Sequence, residues 1–194
     1  MLNRRVLAGG VAAAMCATLL AACSSDDSSG EPSPTLGGKE SLFTPPGTNL
    51  SFDESAVIKF SAGPKRQSTI DLKVTGVQKG SAKDLAEFDL NKAARDSGVY
   101  YVRATVRNVG HGDLGGAFVK LYAKVSDTLV VQPVIFGSTF GKCNYQPLPK
   151  PFGAGKRADL CMVMLAPDHG TVSAAEWRFT GSASDKAPIT WEKP

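Results

Sequence analysis

Histidine is nearly missing from this sequence of 194 residues: there are two, His111 and His169, and both fall in apparent turns. Neither lies at ligand spacing around a cysteine, so a Cys/His metal site has little to stand on. Gly137-Ser138-Thr139-Phe140-Gly141 looks superficially like a nucleophile elbow, but its serine is not central in a Gly-x-Ser-x-Gly. A hydrolase would therefore need a Ser-His-Asp site assembled in space. Asp26 and Asp27 lack the spacing of a calcium loop. A long apolar span is missing too, since the one apolar run, residues 6–22, is short for a bilayer crossing. A strong charge excess is also lacking. Against 18 acidic residues there are 22 basic ones, of which Arg4 and Arg5 precede that run. That balance argues against nucleic acid as a partner.

What is present at the start of the chain is a targeting signal. Arg4 and Arg5 give a positive front, the apolar run follows, and Leu20-Ala21-Ala22-Cys23 closes it. This resembles a bacterial lipoprotein signal peptide, which implies removal of residues 1–22 and lipidation of Cys23. The arginine pair leaves general secretory and twin-arginine export both open. Without the signal the chain carries 20 basic and 18 acidic residues and is nearly neutral. Residues 23–53 are expected to be a lipid-anchored flexible linker, because serine, aspartate, glycine and proline dominate its first part. Cys16 leaves with the signal and Cys23 takes the lipid, so Cys143 and Cys161 remain. In an oxidising compartment they most simply form a disulfide, worth about 3 kcal/mol on a chain-entropy view. A two-cysteine metal site is the rival.

Residues 54–194 read as one β domain. The clearest stretch is 98–110, where Tyr100, Val102, Ala104 and Val106 alternate with Tyr101, Arg103, Thr105 and Arg107. A period of two with one apolar set predicts a strand with a dry face and a wet face. Ile70, Leu72 and Val74 alternate in the same way within 68–77, as do Val119, Leu121, Ala123 and Val125 within 118–125. Further strands are expected over 56–61, 129–136, 172–180 and 189–191. Pro133 marks a bulge or an edge. Residues 158–165 are apolar on both faces and predict a central strand. Residues 84–95 fit a loop or a short helix. Short strands between turn signals, with little helix, predict an all-β, antiparallel β-sandwich of about seven to nine strands with one disulfide.

Tyr100-Tyr101-Val102, Val106-Arg107-Asn108-Val109-Gly110 and Asp113-Leu114-Gly115-Gly116 together resemble the middle of uncharacterised actinobacterial lipoproteins. Cys143, the 147–152 segment, Cys161 and Ile189-Thr190-Trp191 fit as well. More distantly, the chain is similar to small secreted actinobacterial antigens of unknown function. The resemblance implies an immunoglobulin-like sandwich and no enzymatic activity. One departure is that no tryptophan lies between Cys143 and Cys161, so the bridge is expected to pin a long loop rather than join two sheets.

That loop, residues 136–156, is the candidate partner-binding surface. Pro147 and Pro149 favour an extended, low-entropy shape, and Phe140, Tyr145 and Phe152 are candidate exposed anchors for an envelope or extracellular protein or glycan. The alternative is that these rings fold back and cap the sandwich. A copper or small-ligand carrier is the second functional reading. It rests on Met162, Met164, His111 and His169, although methionine in an apolar strand is ordinary core filler. No cofactor is expected. The chain is thus read as a non-enzymatic, lipid-anchored protein on the outer face of the cell membrane. Cys23→Ser should release it into the medium or leave an unprocessed precursor. Unchanged membrane retention with unchanged mass, read by fractionation and mass spectrometry, would contradict lipidation.

Overall fold

The alternating segments become strands packed in two layers. The computed structural model describes residues 42–194. The signal 1–22, Cys23 and the first part of the expected linker lie outside the described residues. Nine strands follow one another: β1 (Asn49–Ser51), β2 (Ser55–Ser61), β3 (Gln67–Lys79), β4 (Gly98–Asn108), β5 (Tyr122–Lys124), β6 (Val130–Val131), β7 (Arg157–Ala166), β8 (Ala174–Trp177) and β9 (Ile189–Glu192). One sheet has the order β1-β9-β8-β5-β6 and the other β2-β3-β4-β7. All pairs are antiparallel except β1 with β9, which run parallel from Asn49↔Thr190 to Ser51↔Glu192. The result is an immunoglobulin-like β-sandwich.

β1 corrects the expected linker boundary at residue 53. Thr44 donates its amide to Val57 O, and the Gly47 amide reaches Ala187 and Pro188 oxygens. The domain therefore begins before residue 45. Composition hid this, because Thr44-Pro45-Pro46-Gly47 reads as linker yet is held by backbone bonds.

The main core lies between the sheets. Ile58, Ile70, Leu72, Val74, Tyr100, Val102, Val106, Met162 and Met164 meet Leu121, Ala175, Ile189 and Trp191 there. Val74 and Val77 are three residues apart and would fall on opposite faces of a regular strand. The register shifts between Val74 and Gly76, which returns Val77 opposite Val102 and toward the core. Trp191 is fully buried, and its indole N–H donates to Glu54 O at 2.9 Å.

Three expectations change here. The alternation over 118–125 is kept, but only Tyr122–Lys124 is laddered, with Val119, Leu121 and Ala123 buried. β7 is not central: it is the last strand of its sheet, and from Leu160 onward it is dry on both faces because a loop covers the outer one. Tyr101 belongs to no wet face, since it is 5% exposed. The 84–95 stretch resolves into a 3-10 turn, Ala82–Leu85, and one helical turn, α1 (Lys92–Arg95).

Asn108 locks the far end of β4. It is fully buried, and its side chain makes four hydrogen bonds. Its Nδ2 donates to Gly112 O and Phe152 O at 2.7 and 2.8 Å. Its Oδ1 accepts from Ser68 Oγ and from the Gly110 amide at 2.7 and 3.2 Å. Every hydrogen-bonding atom of the amide group is used, which is the condition for burying it. Gly112 is equally constrained, because a Cβ there would lie 1.8 Å from Gln67 O. Asn108→Ala should cost about 3 kcal/mol by orphaning these partners, which lowers the melting temperature by about 8 °C. A calorimetric shift under 2 °C would contradict the locking role.

Candidate functional site

The 136–156 loop runs over the surface but turns Phe140, Leu148 and Phe152 inward, which corrects the reading of Phe140 and Phe152 as exposed anchors. Phe140 is 3% and Phe152 1% exposed. The two rings go to different places. Phe140 joins Leu85, Val99, Tyr101, Val163 and the cystine in a small second core on the outer face of the β4–β7 pair. Phe152 and Leu148 enter the main core. Pro147 and Pro149 stay exposed, while Tyr145 is half-buried, with its hydroxyl donating to Val119 O at 3.2 Å. Burial pushes the Tyr145 hydroxyl up to about 12. Cys143 and Cys161 are bonded, and since Cys161 lies on β7 the bridge ties the loop to one sheet, as the missing tryptophan suggested.

The second core is built from aromatic contacts. Phe88 stacks on Phe136 at 4.0 Å, and Phe140 meets Phe88, Phe136 and Tyr101 at 5.7, 5.8 and 6.0 Å. A polar latch closes its rim. The Tyr101 hydroxyl donates to Asp84 Oδ2 at 2.8 Å, and Lys142 Nζ reaches Asp84 Oδ1 at 2.6 Å. Lys142 and then Tyr101, with the Ser81 amide, hold the Asp84 carboxyl down to about 2. Burial, then Asp84, pushes the Tyr101 hydroxyl up.

The concave surface lies at the other edge of that sheet. β2 is the edge strand. Val57 turns its amide and carbonyl away from β3 to Thr44, the amide donating to Thr44 Oγ1 at 2.9 Å. Backbone direction alternates along an antiparallel strand, so Lys59 and Ser61 present theirs on the same open edge. Among the described residues nothing pairs with them there. Facing this edge are 118–122, the end of β8 and the turn after it, and together they enclose a cleft of about 550 Å³.

The cleft is aromatic and basic. Phe60, Phe118, Tyr122, Trp177 and Phe179 line it. Phe118 is 43% exposed and is backed edge-on by Tyr145 at 5.3 Å. Trp177 packs on Phe60 at 5.9 Å, is 8% exposed, and its indole N–H has no hydrogen-bond acceptor. It is the one such buried side-chain atom among the described residues. Lys59, Lys120, Lys186 and Arg178 also line the cleft, and among the described residues no carboxylate does. Arg178 is engaged by Glu176 at 2.8 Å, whereas Lys59 and Lys120 lie over the rings of Phe43 and Tyr122 at 4.8 and 5.7 Å. Sequence reasoning missed this site. Its signal was the outward half of an alternation, Phe118-x-Lys120-x-Tyr122, of which only the inward half was read.

The other candidates lie elsewhere. Met162 and Met164 are fully buried in the main core. His111 and His169 are exposed in turns, and Ser138 is exposed with no bond to a histidine. Among the described residues, no three His, Cys, Asp or Glu side chains gather as metal ligands.

The sequence matches no protein-family model and no curated relative. Among solved structures the chain is similar to MPT63, a secreted protein from Mycobacterium tuberculosis determined at 1.5 Å. The two share 12% identity with a TM-score of 0.52, covering 77% of this chain and 98% of that one. At that identity the likeness is one of fold.

The latch gives a pH test. Asp84 has a depressed folded value, so its contribution is present above about pH 4 and lost as pH falls through 2. Asp84→Asn should therefore shrink the drop in melting temperature between pH 5 and pH 2. An unchanged drop would show that the latch does not carry it.

Proposed function

We propose that this chain is an exported protein, anchored through a lipid on Cys23, whose sandwich domain binds a partner outside the cytoplasm through the cleft beside β2. The observation that carries this reading is the Trp177 indole. It is a buried donor without an acceptor, on a residue that lines a cleft whose opposite wall is a strand edge open beyond Thr44 among the described residues. A buried unpaired donor costs about 1–3 kcal/mol, and a site that awaits an acceptor is one place where such a cost is retained. Aromatic walls with a few polar groups are also the usual make-up of a binding cleft.

The role is recognition rather than chemistry. The cleft offers apolar surface, amide groups and cations, and no described residue supplies a nucleophile paired with a base there. The membrane is a partner through the lipid, and no helix among the described residues is long and apolar enough to cross one. Photo-crosslinking on intact cells tests the reading. Benzoylphenylalanine in place of Phe118 should yield an adduct, whereas the same residue in place of Pro147 should not. Adducts from position 147 alone, or from neither position, would overturn the assignment of the cleft.

A further inference from the structure

We infer that the cleft takes an extended segment of another exported protein, alternating apolar side chains with carboxylates, which adds to the free edge of β2 as a further strand. This rests on the cleft being the binding site proposed above, and it names the chemistry of the occupant. The edge carries the first half of the argument. Thr44 already occupies it at Val57 in the manner of a strand partner, through the Thr44 amide on Val57 O and the Val57 amide on Thr44 Oγ1. Beyond that point Lys59 and Ser61 are exposed, and among the described residues nothing is bonded to their outward amides and carbonyls. Among the described residues the pairing does not continue, since Leu42 is 84% exposed and makes no backbone bond to Lys59. An open edge of this kind is a template for an added strand.

The side walls carry the second half. A strand laid on β2 turns alternate side chains to opposite faces. Along the cleft such a strand meets both the rings of Phe60, Phe118 and Trp177 and the amines of Lys59, Lys120 and Lys186. Those three lysines have no carboxylate partner among the described residues. The rim therefore complements carboxylates and repels a second copy of itself, which would bring lysines against lysines. That asymmetry selects a foreign acidic segment over a β2-to-β2 dimer.

The test uses the full chain in phospholipid nanodiscs and a display library of random nonapeptides. Panning should enrich peptides alternating apolar residues with Asp or Glu. Their synthetic forms should weaken at least tenfold between 50 and 500 mM salt, as exposed charge pairing requires. On binding, hydrogen exchange at the Lys59 and Ser61 amides should slow at least tenfold. Lys120→Glu should lose at least tenfold in affinity. So should Ser61→Pro, which removes an outward amide while leaving the pairing with β3. Oleate serves as the second probe. If oleate quenches Trp177 emission and no peptide is enriched, the cleft reading stands and the peptide inference falls. If neither probe binds, both fall. Peptides that bind without slowing exchange at Lys59 and Ser61 would also overturn strand addition.

Discussion

The structure depends on the first half of β4 and the facing second half of β7 being dry on both faces. Tyr100, Val102 and Ala104 sit opposite Met164, Met162 and Leu160 toward the main core. The alternate residues, Val99, Tyr101, Cys161 and Val163, are also buried, on the outside of the same sheet. A two-layer sandwich supplies cover for only one face of each sheet. The third layer here comes from the 84–90 stretch and residues 136–143, and the cystine fixes it to β7. The bridge thus substitutes for sheet area that a domain of this size does not have.

That arrangement makes the two edges of the sheet unequal. At the β7 edge the chain leaving β6 crosses over, and the Val134 amide donates to Val163 O at 2.8 Å. The long loop then runs back into the main core through Leu148 and Phe152, held there by Asn108 and by Asp113 Oδ1. The crossing chain covers this edge at Val163. At the β2 edge Thr44 alone among the described residues is bonded in place, and the aromatic cleft opens beside it. Exposed strand edges are usually blunted by charge. Lys59 has that effect here, and in the complex proposed above the same charge favours acidic side chains.

The sandwich was legible in the sequence because most strands bury one set of a period-two pattern. The organising role of Tyr100, Val102, Ala104 and Val106 could be read directly, as could the pinning of a loop by Cys143 and Cys161. What could not be read was the second covering layer. Tyr101 beside Arg103 looks like a wet face, and only the rings of Phe88, Phe136 and Phe140, distant in sequence, make it dry. The same non-local packing drew Phe140 and Phe152 inside, so the segment richest in suggestive side chains proved to be scaffold. The cleft was hidden for the converse reason. Lys59, Phe118, Lys120 and Trp177 lie on separate strands and segments, and an open edge is a property of sheet order, which periodicity does not encode.

The division between a structural loop and a working cleft is tested most directly by one paired measurement on Phe140→Ala and Lys120→Glu. Melting temperature and partner capture per folded molecule on intact cells are read for both. Phe140→Ala should cost about 3–5 kcal/mol, a fall of roughly 10 °C or more, with capture by the folded fraction unchanged. Lys120→Glu should move the melting temperature by under about 2 °C, as an exposed substitution does, and lose capture. Loss of capture in Phe140→Ala with unchanged melting, beside full capture in Lys120→Glu, would contradict the account.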